Sequence, residues 1–573
     1  MIFNVLFFSG VHMEKTIDCL LIGHNEMDFA QYERNIRDMG LNSGAYRDLN
    51  LNFIRFNNRP YSITEIFNIF YYQDKNQDNL LNVVESFSAA IAYLGTYLSR
   101  RGYTFDYVNS FQFQKAELSK KLENENILSV AIITTLYVSV LPIVEIVEFI
   151  RTYNRTAKII VGGPFVSTRV RNSLPEELEY LFGSTIEADF YVNSSQGEAA
   201  LVNIIDALKN KVSPTGINNI YYKSGNGIVS SPMVRENNNI SDNMVDWELF
   251  ADHIGEYANV RTAISCPFSC SFCGFPQHAG QYQTAAVQKI EMELRQLDKI
   301  QSLKDIHFID DTFNIPVQRF KDILRMMIKN RFRFKWHSYF RCQFADREMV
   351  ELMKESGCEG VFLGLESGND HILKNMNKAA DTQKYLKGIE LLKEYGIVTY
   401  GNFIVGFPGE TDETVQDTIS FIQKSGLDFF RAQLWYCEPI TPIWKLRKVY
   451  DLKGESFEWS HVTMDARRAC DLVEEIFFTV KESTWVPQYN FDFDTFWHLA
   501  HRGISIEQIR EFLERFNRAV GEKLRKPRDP LRESSSEALL GIKNACSPND
   551  SFKPPEDGKN TSKYEAEADF DFL

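Results

Sequence analysis

The chain has 573 residues, 44% of them hydrophobic and 24% charged, with a net charge of −14. That length accommodates about three or four domains, and the composition is that of an ordinary globular protein. The acidic balance without a long basic run argues against a nucleic-acid partner. Nine cysteines in so long a chain do not suggest a disulfide scaffold, and the lack of any run of ~18 apolar residues leaves no expected membrane span or membrane partner.

In chain order, residues 1–15 begin with an apolar stretch, Met1 to Val11, that lacks the basic region and longer apolar core of a signal peptide. It reads as a leader, with Met13 as an alternative start. Residues 16–210 alternate short β-rich runs with helical stretches. Strands are expected at Ile17 to Gly23, Phe105 to Val108, Val130 to Thr134, Lys158 to Val161 and Phe190 to Val192. Helices are expected at Ser86 to Arg101, Ile143 to Tyr153 and Glu198 to Leu208. This alternation predicts a doubly wound, Rossmann-like parallel sheet, whose ligands bind at the carboxyl ends of the strands. Those ends carry Gly23-His24-Asn25, Thr134-Thr135, Gly162-Gly163 and Ser195-Gln196-Gly197-Glu198.

Residues 211–250, rich in Asn, Ser and Gly, read as a small hairpin and linker. The alternation restarts in residues 251–445, with strands expected at Val260–Ile264, Asp305–Ile309, Lys335–Tyr339, Gly360–Gly364, Val398–Ile404 and Phe429–Trp435. Six strands with intervening helices predict a partial (β/α)6 barrel with polar strand ends at its mouth. Residues 446–525 read as a helical C-terminal region, with amphipathic stretches at Thr463–Val480 and Ile504–Leu524. Residues 526–573 are rich in Pro, Ser, Asn and charge and read as a disordered tail; Asn560-Thr561-Ser562 there matches a glycosylation acceptor only by coincidence. The fold class is thus α/β throughout the two main domains.

The strongest chemical signal is Cys266, Cys270 and Cys273, a Cys-x3-Cys-x2-Cys spacing on the loop after the first barrel strand. Three thiolates this close can hold three irons of a cubane cluster. No fourth cysteine follows nearby, so one iron would stay open to a ligand. Zinc, with His278 as a fourth ligand, is the alternative.

This spacing, with the aromatic Phe272 just before the third cysteine, resembles the radical S-adenosylmethionine (SAM) enzymes. The resemblance implies a 4Fe-4S cluster on Cys266, Cys270 and Cys273 with SAM on the fourth iron, and cleavage of SAM to a 5′-deoxyadenosyl radical. Further segments follow in order. Asp310-Asp311 ends the second strand like the family's acidic turn. Arg341 follows the third, where the family carries an arginine near the SAM carboxylate. Gly364-Leu365-Glu366-Ser367-Gly368 ends the fourth and resembles a Gly-x-Glu-Ser-Gly segment whose glutamate and serine bind polar groups of SAM. Gly406-Phe407-Pro408-Gly409-Glu410-Thr411 ends the fifth and resembles a turn on the adenine side. Plainer readings remain beside these: a capped loop for the aspartates, a salt bridge for Arg341, and a helix-capping turn for Gly406 to Thr411. Glu293 is expected on a solvated helix face.

Leu94-Gly95-Thr96-Tyr97-Leu98, Val161-Gly162-Gly163-Pro164 and Gln196-Gly197-Glu198 resemble the cobalamin-binding domain that precedes many radical SAM barrels. Gly162 and Gly163 would let the backbone lie close to a large flat ligand, and Thr134 and Thr135 would donate to its polar rim; a mere tight turn is the plainer reading of the glycines. Gly197 and Glu198 belong to the same set. The Asp-x-His-x-x-Gly motif of other cobalamin proteins is absent, so no lower histidine ligand is expected; Gly23-His24-Asn25 is not that motif. Ile22 to Glu33, with Trp459-Ser460-His461-Val462-Thr463-Met464, resembles the P-methyltransferase subfamily of phosphinothricin tripeptide biosynthesis.

The resemblance implies a cobalamin-dependent radical SAM methyltransferase acting on an unactivated carbon or a phosphinate phosphorus of a small molecule. Its partners would be that substrate and an electron donor such as flavodoxin or ferredoxin, and its location cytoplasmic. Rivals are a non-methylating rearrangement or cyclisation, a cobalamin sensor with an inert barrel, and an RNA methylthiotransferase. The last usually carries further N-terminal cysteines, and only Cys19 lies there. Cys342, Cys358, Cys437 and Cys470 are expected in the core, with Tyr436 and Cys437 the candidates to face substrate. No catalytic side chain is assigned.

Overall fold

The computed structural model describes residues 16–546, apart from 73–79, 82–85, 136, 138, 226 and 526. The leader to residue 15 and the acceptor sequence at 560–562 lie outside the described residues.

Five parallel strands build the first sheet. Their spatial order is Phe105–Ser110, Cys19–His24, Ser129–Ile133, Lys158–Gly162, Phe190–Val192. In chain order this is 2-1-3-4-5, the flavodoxin-like arrangement, whose ligand crevice lies outside the carboxyl ends. Alternation along the strands sends side chains to two cores. Leu20, Ile22, Val130, Ile132 and Val161 pack under one face. Cys19, Leu21, Ala131, Ile133 and Ile160 join a larger core continuous with the second domain. Helix Ala89–Ser99 lies on that shared side. Gly95 is required there, because a Cβ would stand 2.6 Å from the Phe105 ring. The expected linker is less separate than its composition suggests. Its hairpin, Ile220–Ser224 and Gly227–Ser230, adds to the sheet edge antiparallel to Phe190–Val192.

The second sheet is parallel throughout: Tyr257–Val260, Asp305–Phe308, Lys335–Phe340, Cys358–Glu366, Val398–Val405, Phe429–Leu434, then the two-residue Thr484–Trp485. The six expected strands are present, with one difference at the first. The chain leaves that strand after Val260, and Ala263–Ile264 pairs instead with Gln283–Thr284. Asp310 enforces this, since its carboxylate accepts from the amides of Thr262 and Ala263 at 2.6 and 2.9 Å.

The C-terminal region is not purely helical: Lys453–Glu455, Glu458–His461 and Met464–Asp465 form a small antiparallel sheet before helices Ala466–Thr479, Phe493–His501 and Ile506–Leu524. The expected tail also needs correction over residues 527–546. Helix Ser536–Cys546 buries Ala538, Leu539, Ile542 and Cys546, an amphipathic face that a compositional reading overlooks; residues 547–573 lie outside the described set. The segment between the first strand and helix Ala89–Ser99 folds into helices and a hairpin, Phe53–Phe56 with Arg59–Ser62. It grips both the C-terminal region and the last long strand of the second sheet: Arg47 pairs with Glu474 at 2.8 Å, and Arg431 on strand Phe429–Leu434 donates to Asn52 at 3.1 Å. Among the described residues no helix is long and apolar enough to cross a membrane.

Candidate active site

The cysteine loop leaves the short strand Ala263–Ile264 through Ser265, whose φ of +66° places a non-glycine residue in the left-handed region. Such strain persists where the surroundings over-determine it, and it clusters at functional sites. Each sulfur then meets a polar group. Cys266 Sγ lies 3.4 Å from Thr312 Oγ1, Cys270 Sγ accepts from Arg341 Nη2 at 3.3 Å, and Cys273 Sγ accepts from the Phe275 amide at 3.4 Å. Burial pushes the Cys273 thiol up to about 11, so a thiolate there calls for a cation beside it. Among the described residues the three sulfurs are not gathered within 4.8 Å of one another. His278 is engaged elsewhere, 3.6 Å from Glu438 and 3.4 Å from Arg171.

From Cys270 a buried polar network runs across the barrel mouth. Arg341 also donates to the Lys378 carbonyl at 3.2 Å, and its guanidinium lies 3.6 Å from the Phe268 ring centroid. Lys378 Nζ pairs with Glu366 Oε1 at 2.8 Å and stands 5.5 Å from the Phe272 ring. Asn402 Nδ2 reaches Glu366 Oε2 at 3.4 Å. Glu366 itself has φ +68°, and its carboxylate occupies the space that a Cβ on Gly364 would fill, 2.7 Å away. Arg341 Nη1 and Asn402 Oδ1 are buried without a hydrogen-bond partner. A buried amide or guanidinium left so costs about 1–3 kcal/mol. An unspent cationic donor and an unspent neutral acceptor beside the cysteine loop suit an amino acid's carboxylate and ammonium.

Lys378 and Asn402 escape the motif reading. Asn402 leaves one trace, a lone amide in the apolar run Phe403-Ile404-Val405. Ser367 turns otherwise than expected. Its hydroxyl accepts from the Asn369 amide at 3.2 Å and lies 3.5 Å from Thr418 Oγ1, so it shapes the turn. Gly406, at φ +95°, admits the Trp459 indole, which a Cβ would meet at 2.3 Å. His461 Nε2 lies 3.0 Å from the Gly406 carbonyl and its ring stacks on Trp459 at 5.2 Å. Two segments far apart in sequence thus form one wall. Burial pushes Glu410 up to about 8, and its carboxyl closes the turn on the Gly406 amide.

On the other side of the cysteine loop lies a cavity of about 620 Å³ between the two sheets. Its first wall is Thr135, Gly162, Gly163 and Gln196 to Glu198 at the strand carboxyl ends; its second is Arg261, Ser265, Phe275, Asp311 and Tyr339. The glycines differ in what they do. Gly163 and Gly197, at φ +117° and +83°, are demanded by the backbone. Gly162 is not: a Cβ there would meet nothing closer than Val192 at 3.4 Å, so its missing side chain is simply room on the cavity wall. Glycine-lined strand ends around a large, largely apolar space suit a broad planar ligand. Thr134, expected at the rim, is fully buried and donates to the Gly162 carbonyl at 2.9 Å; Thr135 takes the exposed position. His24 is half-buried and does not line this cavity.

Of the paired aspartates, Asp310 is committed to the backbone of Thr262 and Ala263, while Asp311 faces the cavity. Asp311 is exposed into the cavity; desolvation by the surrounding walls, with Asp310 adding to the effect, pushes its carboxyl up to about 7. Arg261, unforeseen although it interrupts an apolar run, is buried under the Tyr93 ring at 4.1 Å, with Nε unpartnered. Glu293, expected on a solvated face, is buried and accepts from Trp247 Nε1 at 2.8 Å; burial pushes it up to about 8. Cys342, Cys358, Cys437 and Cys470 are buried as expected, and neither Cys437 nor the exposed Tyr436 lines the cavity.

Residues 261–422 match the family model of the Radical SAM superfamily. An uncharacterized methyltransferase of Pyrococcus horikoshii is 27% identical over 308 residues, 52% of this chain and 65% of that protein. The anaerobic magnesium-protoporphyrin IX monomethyl ester cyclase of Cereibacter sphaeroides is 25% identical over 382 residues, 62% of this chain and 60% of that protein. The chain therefore covers less than two thirds of either relative. The radical SAM methyltransferase TsrM of Kitasatospora setae, solved with cobalamin and a 4Fe-4S cluster bound, superposes with a TM-score of 0.57 at 16% identity, covering 80% of this chain and 96% of that one. That likeness is one of fold.

Proposed function

We propose that this chain, which carries a radical SAM domain over residues 261–422, is a cobalamin-dependent methyltransferase acting on a small molecule. The observation that carries the reading is the shared cavity. The glycine-lined strand ends of one domain and the flank of the cysteine loop of the other border the same 620 Å³. Cys266, Cys270 and Cys273 would hold the cluster; Arg341, Glu366, Lys378 and Asn402 the polar end of SAM, with Phe272 and Gly406 beside it; Thr135, Gly162, Gly163, Gly197 and Glu198 the cobalamin. When bound, the cluster with SAM supplies a hydrogen-abstracting radical and the cobalamin a transferable methyl group.

The chain's own part is placement. Arg341 fixes the cysteine loop to the Lys378 segment, so the orientation of the SAM site and of the sulfurs is set by one side chain. Ile264, Ile309 and Tyr339 line the cavity with apolar surface and keep water from a reactive centre. Asp311, pushed up to about 7, can present either a proton or a charge at the cavity wall near neutral pH. Substrate would lie between the cysteine loop and the strand ends, with Arg261 in the cavity wall.

Turnover with methyl-deuterated SAM tests the reading. Label is expected in the product, with one S-adenosylhomocysteine and one 5′-deoxyadenosine per transfer. The likeness to a cyclase supports a second reading, a rearrangement without methylation. Its sign would be 5′-deoxyadenosine with an altered, unlabelled product and no S-adenosylhomocysteine.

A further inference from the structure

At the other end of the barrel, away from the cysteine loop, a second group of ligand-type side chains converges. His307 on strand Asp305–Phe308, His337 on strand Lys335–Phe340 and Asp494 on helix Phe493–His501 bring one ligand atom each within 4.8 Å of one another. His307 Nδ1 and His337 Nε2 both stand 3.0 Å from Asp494 Oδ1, and the two rings stack at 4.6 Å. Metal–ligand bonds of about 2.0–2.1 Å in a tetrahedral site separate ligand atoms by ~3.3 Å. The two separations to Asp494 are within a few tenths of an ångström of that, at a distance that also makes them hydrogen bonds, and the two imidazole nitrogens lie within 4.8 Å of each other.

The surroundings are those of a metal-bound imidazole. His337 turns its other nitrogen to Asp305, with Nδ1 and Oδ1 2.7 Å apart. Neither atom has a hydrogen bond elsewhere. Asp305 is held in turn by His501 at 3.4 Å. A carboxylate behind a ligating histidine is the usual device for fixing its tautomer and orientation. The group is buried except at Asp494, whose side chain keeps 25% of its surface exposed, so an ion has a way in. The His307 ring lies 5.3 Å from that of Tyr339, which lines the large cavity.

We infer that His307, His337 and Asp494 form a site for a divalent first-row cation, zinc foremost, at the barrel floor. Two imidazoles and a carboxylate suit zinc well. The ion would pin helix Phe493–His501 to two barrel strands and so steady the floor beneath Tyr339.

The test uses full-length, cluster-loaded protein exposed to zinc and dialysed into metal-free buffer, with zinc and iron counted by mass spectrometry. One zinc per chain is expected beside an unchanged iron content, and zinc should raise the thermal midpoint reversibly with chelator. His307→Gln and Asp494→Asn should each bring zinc to background while keeping the cluster iron. X-ray absorption at the zinc edge of the unsubstituted protein gives an answer even if the variants fold poorly: nitrogen and oxygen neighbours are expected. No retained zinc, zinc gained only as iron is lost, sulfur neighbours, or well-folded variants that keep their zinc would each overturn the assignment.

Discussion

The two ends of the barrel use charge in opposite ways. At the mouth, Arg341 Nη1, Asn402 Oδ1 and Arg261 Nε are buried and aimed at no partner, and Gly162 leaves wall space that no protein atom claims. At the floor, charges face opposite charges: His337 faces Asp305 and Asp494, and His501 faces Asp305 and Glu359, so that even the atoms there without a hydrogen bond, His337 Nδ1, Asp305 Oδ1 and Glu359 Oε2, have an opposite charge beside them. A mouth built this way is incomplete without ligands, whereas the floor is closed on itself or on a single ion. Substitutions at the mouth should therefore appear first in binding, and those at the floor first in stability.

The largest effect is expected at the cysteine loop. Replacing Cys266, Cys270 and Cys273 by Ala should abolish iron–sulfur absorbance and SAM cleavage outright, while the circular dichroism of the two sheets persists. Stoichiometric zinc in the unsubstituted protein at these sulfurs would refute the cluster. Next is Lys378→Met. It strands the Glu366 carboxylate, whose side chain is only 7% exposed, and breaking a buried pair from one side costs about 3–5 kcal/mol. Urea unfolding should report part of that loss, and SAM titration a marked drop in affinity. Unchanged affinity would remove Lys378 and Glu366 from the SAM site.

How far the sequence discloses this molecule follows from the range of each interaction. The parallel strands are legible because their apolar runs are local, and Phe190–Val192 falls where expected. The cysteine triad is legible because its ligands lie within eight consecutive residues. The floor is not, because His307 and Asp494 come together only after folding. Nor is the clasp of Arg47 on Glu474, since each residue alone reads as an ordinary surface charge. Asp310 and Ser367 show the converse error. Their side chains serve the turns, while Asp311 lines the cavity and Lys378, later in the chain, pairs with Glu366.

His501→Gln separates the floor from the mouth by pH. The group faces Asp305 and Glu359 on the strands, Tyr257 at 6.2 Å between rings, and the Lys304 ammonium, which donates to its carbonyl at 3.4 Å. Burial alone would lower its pKa, but the bonds to Asp305 and Glu359 outweigh it and raise the pKa to about 9. A histidine raised in the folded state stabilises fully below its unfolded pKa of about 6.5 and loses that contribution as pH rises through the folded value. The variant should therefore be less stable than the parent by roughly 2 kcal/mol at pH 6, with the gap narrowing from pH 7 and closing near pH 10. SAM and cobalamin affinities should hardly move. A gap that stayed constant with pH would mean that the protonated histidine is not what holds the floor.

The smallest expected effect discriminates most finely between space kept for a ligand and space required by the chain. Gly162 and Gly163 are adjacent, yet their substitutions by Ala should diverge. At Gly163 the φ of +117° and the Thr134 hydroxyl 2.8 Å from a new Cβ both oppose the change, so stability should fall by about 1–2 kcal/mol. At Gly162 neither obstacle exists. The backbone is extended in strand Lys158–Gly162, and the nearest atom to a Cβ is 3.4 Å away. Removing glycine's extra freedom in the unfolded chain should leave stability unchanged or raise it by about 0.4–1 kcal/mol. If cobalamin lies against this wall, the same methyl group should weaken its binding several-fold, measured by equilibrium dialysis under anaerobic conditions. A variant that is at least as stable but binds less cobalamin has lost ligand space and nothing else. Should Gly162→Ala bind cobalamin as tightly as the parent, the strand end is an ordinary turn, and the cofactor, if bound at all, rests elsewhere in the cavity.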